Sequence, residues 1–176
     1  MIVGYEIEVE GLSEQIALLE SYEELSNREL LIAMNKSVTK IEQNVLPFVP
    51  VDRGRLRGSI GSEVQEISAL SIVGRVGSSL SSEEYPKVME FGRTPGGRFP
   101  PMEPITAWVK RVILRGETDE AKIRSVSFLV ARKIAREGIK AREFLKKGFE
   151  KSVGDVKEYF AEALENIANG LSNKNS

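Results

Sequence analysis

The chain has 176 residues, with 25 Lys and Arg against 26 Asp and Glu, and contains neither Cys nor His. That composition excludes thiolate or imidazole metal sites, a disulfide framework, a Cys or His nucleophile and a His general base. A hydrophobic fraction of 41% and a net charge of −1 fit a globular protein with no overall pull toward nucleic acid or acidic membranes.

Tyr5, Ile7 and Val9 alternate with Glu6, Glu8 and Glu10. This period of two predicts a half-buried strand over 3–9, ended by Gly11. A short helix follows over 13–21. Ser26 and Glu29 have capping-box spacing, and Leu30, Met34, Val38, Ile41 and Val45 then form one apolar stripe on a long helix ending before Pro47. Residues 47–60 hold two prolines, two glycines and three arginines, so they read as a loop or one tight helical turn, with Asp52 placed to cap a turn holding Leu56. Two short strands are expected over 62–67 and 71–77, joined at 68–70, with Val64, Ile67, Ile72 and Val76 toward the core. Residues 85–91 read as another strand.

The segment 92–101, GRTPGGRFPP, reads as a loop: either an interaction arm that orders on contact, or a plain connector. Pro104 opens a helix carrying Ile105, Trp108, Val109, Val112 and Ile113, stopped by Gly116. Another helix starts near Thr118 or Asp119, carries Ile123, Val126, Val130 and Ile134, and stops at Gly138. Phe149, Val153, Val156, Phe160, Leu164 and Ile167 mark a final amphipathic helix. The expected fold class is α+β: a long N-terminal helix packed on a small antiparallel sheet, a helical insertion and a C-terminal helix. Residues 1–168 are expected to form one domain, with the insertion at about 100–140 and a flexible tail over 169–176.

Charge is uneven. Residues 1–50 carry 9 acids and 3 bases, whereas residues 93–150 carry 14 bases and 7 acids. Such opposed segments suit head-to-tail self-association; solvated helix faces are the plain alternative. No run approaches the roughly 18 apolar residues a membrane span requires. Met1 to Glu10 has no basic residue, unlike a signal peptide. The protein therefore reads as soluble and cytoplasmic where it is made.

No catalytic constellation assembles in the sequence. Ser59 has no nearby Lys, Glu83 and Glu84 are adjacent, and Gly92, Gly96 and Gly97 lack a strand-to-helix setting and a Lys–Ser/Thr ending. The chain reads as a non-enzyme with no cofactor and no metal, and a magnesium site from scattered carboxylates is the residual alternative. Arg53, Arg55 and Arg57 suit either phosphate or carboxylate partners. Carboxylates are favoured, because no aromatic residues interleave with the arginines.

Residues 50–60, PVDRGRLRGSI, resemble the signature of the tail-completion, or head–tail joining, family of long-tailed phages. That family typically carries a Pro-Val-Asp-Thr-Gly-x-Leu-x-x-Ser-Ile-like stretch after a long helix; here Arg53 stands at the Thr. Tyr85, Glu90, Phe91 and Gly92 are similar to its Tyr…Val-Glu-Phe-Gly element, with Met89 at the aliphatic position. Phe144 and Leu145 are similar to a Pro-Phe-Leu element, with Glu143 at the proline. The three blocks in order span about residues 1–167, and 100–140 looks like an insertion seen in some members.

The resemblance implies a structural virion protein of the phage or prophage neck. It would assemble with itself, often as a hexameric ring, without catalysis. Its other partners would be head-connector or adaptor proteins and tail-tube or tail-terminator proteins, with weak contact to packaged DNA and no membrane. It would reside in the virion, and in the host cytoplasm during assembly. Candidate subunit contacts are Asp52, Arg53, Arg55, Arg57, Glu90, Arg93 and Arg98. The alternative is a nucleic-acid-binding module using the arginine-rich 53–57 and 93–98 segments.

Overall fold

The computed structural model describes residues 3–7, 23–68, 71–80 and 84–174. The helix expected over 13–21, residues 8–9 of the first strand and most of the 68–70 connection lie outside the described residues. So do the side chains of Tyr5, Ile7 and Ile67. The chain forms two compact units, one built from 1–90 and 142–176, the other from 91–141. The inserted unit is thus wider than the 100–140 expected.

The first unit is α+β. Strands β1 (Val3–Ile7), β2 (Ile60–Ser68) and β3 (Ser71–Ser78) form an antiparallel sheet in the order β1-β3-β2. Val64 pairs with Gly74 and Glu63 with Arg75. Helix α1 (Glu23–Val45) lies against this sheet. All five residues of its stripe, Leu30, Met34, Val38, Ile41 and Val45, are buried. Gly74 permits the approach, since a Cβ there would meet Val38 Cγ1 at 2.5 Å and Met34 Sδ at 2.6 Å. Val76 is buried as expected, with Val64 and Ile72 packed at the core margin. Ser26 is no cap: the described helix already includes Glu23, which leaves Ser26 buried inside it.

A 3₁₀ turn (Leu46–Phe48) and a one-turn helix α2 (Arg55–Gly58) follow α1. Residues 84–91 form helix α3 (Glu84–Phe91), not the strand expected. Pro86 lies in its first turn, where no intrahelical donor is lost. The last helix of this unit, α6 (Phe144–Lys174), is 31 residues long. It continues through Asn169 to Lys174, where composition suggested a tail. It runs antiparallel to α1, because Asn166 donates to Glu29 at 3.0 Å, Lys36 to Glu162 at 3.0 Å and Asn44 to Ser152 at 2.9 Å. Phe144, Leu145, Phe160, Ala163 and Ile167 join α1 in one core.

The second unit is helical. Helix α4 (Met102–Trp108) passes into a π turn (Val109–Ile113), in which Leu114 N donates to Val109 O at 2.8 Å. Helix α5 (Glu120–Glu137) is capped by Asp119, whose Oδ1 accepts from Ala121 N at 2.9 Å and Lys122 N at 3.3 Å. Gly116 and Gly138 have φ of 78° and 74° and end their segments as predicted. Arg93 and Ile139 exchange backbone hydrogen bonds of 2.8 and 2.9 Å, and Gly96 N donates to Ala135 O at 2.8 Å. Phe99 stacks on Phe128 with ring centroids 5.8 Å apart. The 92–101 segment is therefore pinned along its length rather than a free arm. Of the apolar stripe 105–113, only Val109 is fully buried; Trp108, Val112 and Ile113 remain 37–47% exposed.

Candidate functional site

The 50–60 turn is built by residues that do not face outward. Gly54 takes φ 76° at the cap of α2, a left-handed conformation that glycine adopts without strain. Its carbonyl accepts from Gly58 N at 2.7 Å. Leu56 and Ile60 are buried. Ser59 Oγ donates to Leu56 O at 2.7 Å and lies 2.8 Å from the buried Ser78 Oγ at the end of β3, while Ser79 N donates to Ser59 O at 2.9 Å. Turn and sheet are thereby locked together. The N-cap position of α2 is held by Gly54, two residues after the Asp52 expected to cap the turn.

What the turn presents is Asp52, Arg53, Arg55 and Arg57, all exposed. Arg55 and Arg57 sit on the single turn of α2 and Arg53 precedes it, so the three do not form the common face that an extended segment would give. The side chains of Arg53 and Arg57 have no hydrogen-bond or ion-pair partner among the described residues. Asp52 comes close enough to Tyr85 on α3 to act on its phenol. Partial burial, and then the Asp52 charge, raise the Tyr85 pKa above its ordinary value.

Glu90 does not line an outer contact surface. It is 2% exposed, and its Oε2 and Oε1 accept from Leu145 N at 2.9 Å and Lys146 N at 3.1 Å. A carboxylate at this position satisfies two otherwise orphaned amides and complements the positive end of a long helix. Beside it Arg142 N donates to Met89 O at 2.8 Å and Glu143 N to Glu90 O at 3.2 Å. The last strong link of this network is therefore intramolecular, and no local sequence signal announces it, since donor and acceptor are 55 residues apart.

Arg93 and Arg98 belong to the inserted unit and the Asp52–Arg57 turn to the other. Arg98 is exposed and Arg93 half-buried. Two features escaped sequence reasoning. Trp108 reads as a packing residue but is 37% exposed. The charge contrast also sharpens along the structural boundary: residues 91–141 hold 11 basic and 5 acidic residues, against 14 and 21 in the remainder. Within the inserted unit Lys122 Nζ donates to Glu117 at 2.6 Å, which holds that carboxyl below its usual range and the ammonium above. Among the described residues no cluster of three or more acidic side chains is arranged to hold a metal ion, and no helix is long and apolar enough to cross a membrane.

The chain matches no protein-family model, no curated protein and no solved structure.

Proposed function

We propose that this chain is a structural component of the neck of a long-tailed phage particle, joining the tail to the head connector by forming a ring, with no catalytic step. The observation that carries this reading is the convergence of three segments far apart in sequence. The Asp52 charge acts on Tyr85 of α3, and α3 meets the start of α6 through Glu90, Leu145 and Lys146. These are the segments in which the sequence resembles tail-completion proteins, and Leu56, Phe144 and Leu145 share one core. Residues that build the turn are buried, while Asp52, Arg53, Arg55 and Arg57 are left at the surface for contact with other components.

The partners in this reading are further copies of the chain, a connector or adaptor protein on the head side, and a tail-tube or tail-terminator protein on the other. The test is assembly without it. Particles made in the absence of this chain should accumulate as filled heads and separate tails, and purified protein should restore joining. Joined, infectious particles lacking the chain would end the reading.

A second reading draws on Arg53 and Arg57, which are exposed without a partner among the described residues. It makes the chain a nucleic-acid-binding module. Phosphate contacts release counterions, so this reading requires duplex DNA affinity that falls steeply and log-linearly with salt. Absence of binding at low salt eliminates it.

A further inference from the structure

We propose that the exposed side of α5 binds the phosphate backbone of double-stranded DNA. The inference rests neither on the neck role nor on the Asp52–Arg57 turn. It shares a ligand class with the second reading above and assigns that ligand to different residues. Ile123, Ser127 and Ala131 turn into the inserted unit and are buried. The exposed side carries Arg124, Phe128, Arg132 and Arg136 at intervals of four residues, so each neighbours the next. Leu129 and Lys133 lie beside them, also exposed. No acidic residue occurs between Glu120 and Glu137. Phe128 and Leu129 are 50% and 53% exposed, which is unusual for adjacent large apolar side chains on a merely solvated face.

The carboxylates of the unit leave this side positive. Glu117 is bound to Lys122 at 2.6 Å, Glu120 to Lys110 at 2.7 Å, and Asp119 accepts from the first amides of α5. Glu137 takes Arg136 at 2.6 Å and reaches Lys133 at 3.9 Å, so these three side chains keep one positive charge. The fifth, Glu103, forms no ion pair among the described residues. The side chains of Arg124 and Arg132 have no hydrogen-bond or ion-pair partner among the described residues. Nor has that of Arg98, whose neighbour Phe99 stacks on Phe128 with ring centroids 5.8 Å apart. That stack holds the segment bearing Arg98 to the same side of the helix.

Charge and shape select the occupant. A guanidinium offers phosphate a bidentate fork, and here an aromatic ring interleaves with the arginines, as none does at 53–57. From Arg124 to Arg136 the helix rises about 18 Å. An exposed helix side fits the major groove of a DNA duplex, about 12 Å wide, whereas a single strand is held in a groove of the protein. No Asn or Gln lies on α5 to read adenine edges, which leaves phosphates as the main contacts. A bilayer fits less well. Membrane-surface helices bury a broad apolar face, and the apolar face of α5 is already turned inward, leaving Phe128 and Leu129.

The test is binding of the full chain to a short fluorescent DNA duplex across a salt series. The unmodified chain should bind at about 0.05 M salt and lose affinity log-linearly as salt rises. Arg124→Gln with Arg132→Gln removes two phosphate contacts. It should lower affinity at least about tenfold at about 0.05 M salt and reduce the salt slope by about 2. Arg53→Gln with Arg57→Gln removes the same charge elsewhere and should change affinity less than about twofold. Both pairs alter exposed side chains, and circular dichroism should be unchanged in each. An equal loss from the two pairs overturns the proposal. So does a loss confined to Arg53→Gln with Arg57→Gln, which leaves the second reading standing. No duplex binding by the unmodified chain at low salt removes both. Tighter binding of a single strand of the same length overturns the assignment to a duplex. Loss of binding to phosphatidylserine vesicles in the α5 pair, with duplex affinity unchanged, overturns the proposal in favour of a membrane.

Discussion

Glu90 fixes the start of a helix that begins 54 positions later in the chain, and it does so with one carboxylate shared between two backbone amides. Glu90→Ala leaves the buried Leu145 amide and the part-buried Lys146 amide without this acceptor. The expected loss is about 1–3 kcal/mol of unfolding free energy, read by urea denaturation; a loss under the error of that measurement would contradict the assignment. Tyr85 offers an independent probe of the same junction. Its phenol holds its proton more tightly folded than unfolded, so its contribution to stability is intact below the unfolded value near 10 and declines as pH rises past it. In an ultraviolet titration Tyr85 should ionise above its ordinary range, as a late component. Tyr85→Phe should remove that late component and Asp52→Asn should move it to lower pH. If Asp52→Asn leaves the titration unchanged, the Asp52 charge does not act on Tyr85 in solution.

At the scale of elements, α1 and α6 approach closely at Gly148. A Cβ on Gly148 would lie 2.6 Å from Val45 Cα and 2.7 Å from Val45 N, against backbone that cannot swing aside. Gly148→Ala should cost about 1–3 kcal/mol through overpacking. Gly154, on the same helix, has nothing within 4 Å of such an atom. Gly154→Ala should therefore be neutral or stabilising by up to about 1 kcal/mol, the helix-propensity gain. Equal effects in chemical denaturation would refute the packing described. Long elements were legible in the sequence because their stripes run for several turns: Leu30 to Val45 predicts α1, and Asp119 with Gly138 brackets α5. Residues 84–91 were not, because eight residues give too few turns for periodicity to separate helix from strand. The fixed 92–101 segment was hidden for another reason: its bonds to Ala135 and Ile139 are long-range.

At the scale of the molecule, the chain leaves the first unit after Glu90 and re-enters it at Arg142, and in that unit Arg142 N is hydrogen-bonded to Met89 O at 2.8 Å. The two ends of the insertion thus already meet. Replacing residues 91–141 by a short Gly-Ser linker should leave the α1–α6 core and the sheet folded, with helical circular dichroism and a single cooperative unfolding transition. A chain that unfolds on this deletion would mean that the first unit does not stand alone. The charge division between the units was visible in the sequence only as a drift, since 93–150 includes Arg142, Lys146 and Lys147 of the first unit. Its sharp form needs the structural boundary. The exposed Trp108 was equally hidden, because a stripe of apolar residues gives no indication of how much of it a small unit can cover. Assembly into the neck is the proposed role of this chain. Native mass spectrometry of necks detached from purified particles addresses it most directly. The account predicts a closed ring containing several copies of this one chain; a complete neck with no copy of it would contradict the account.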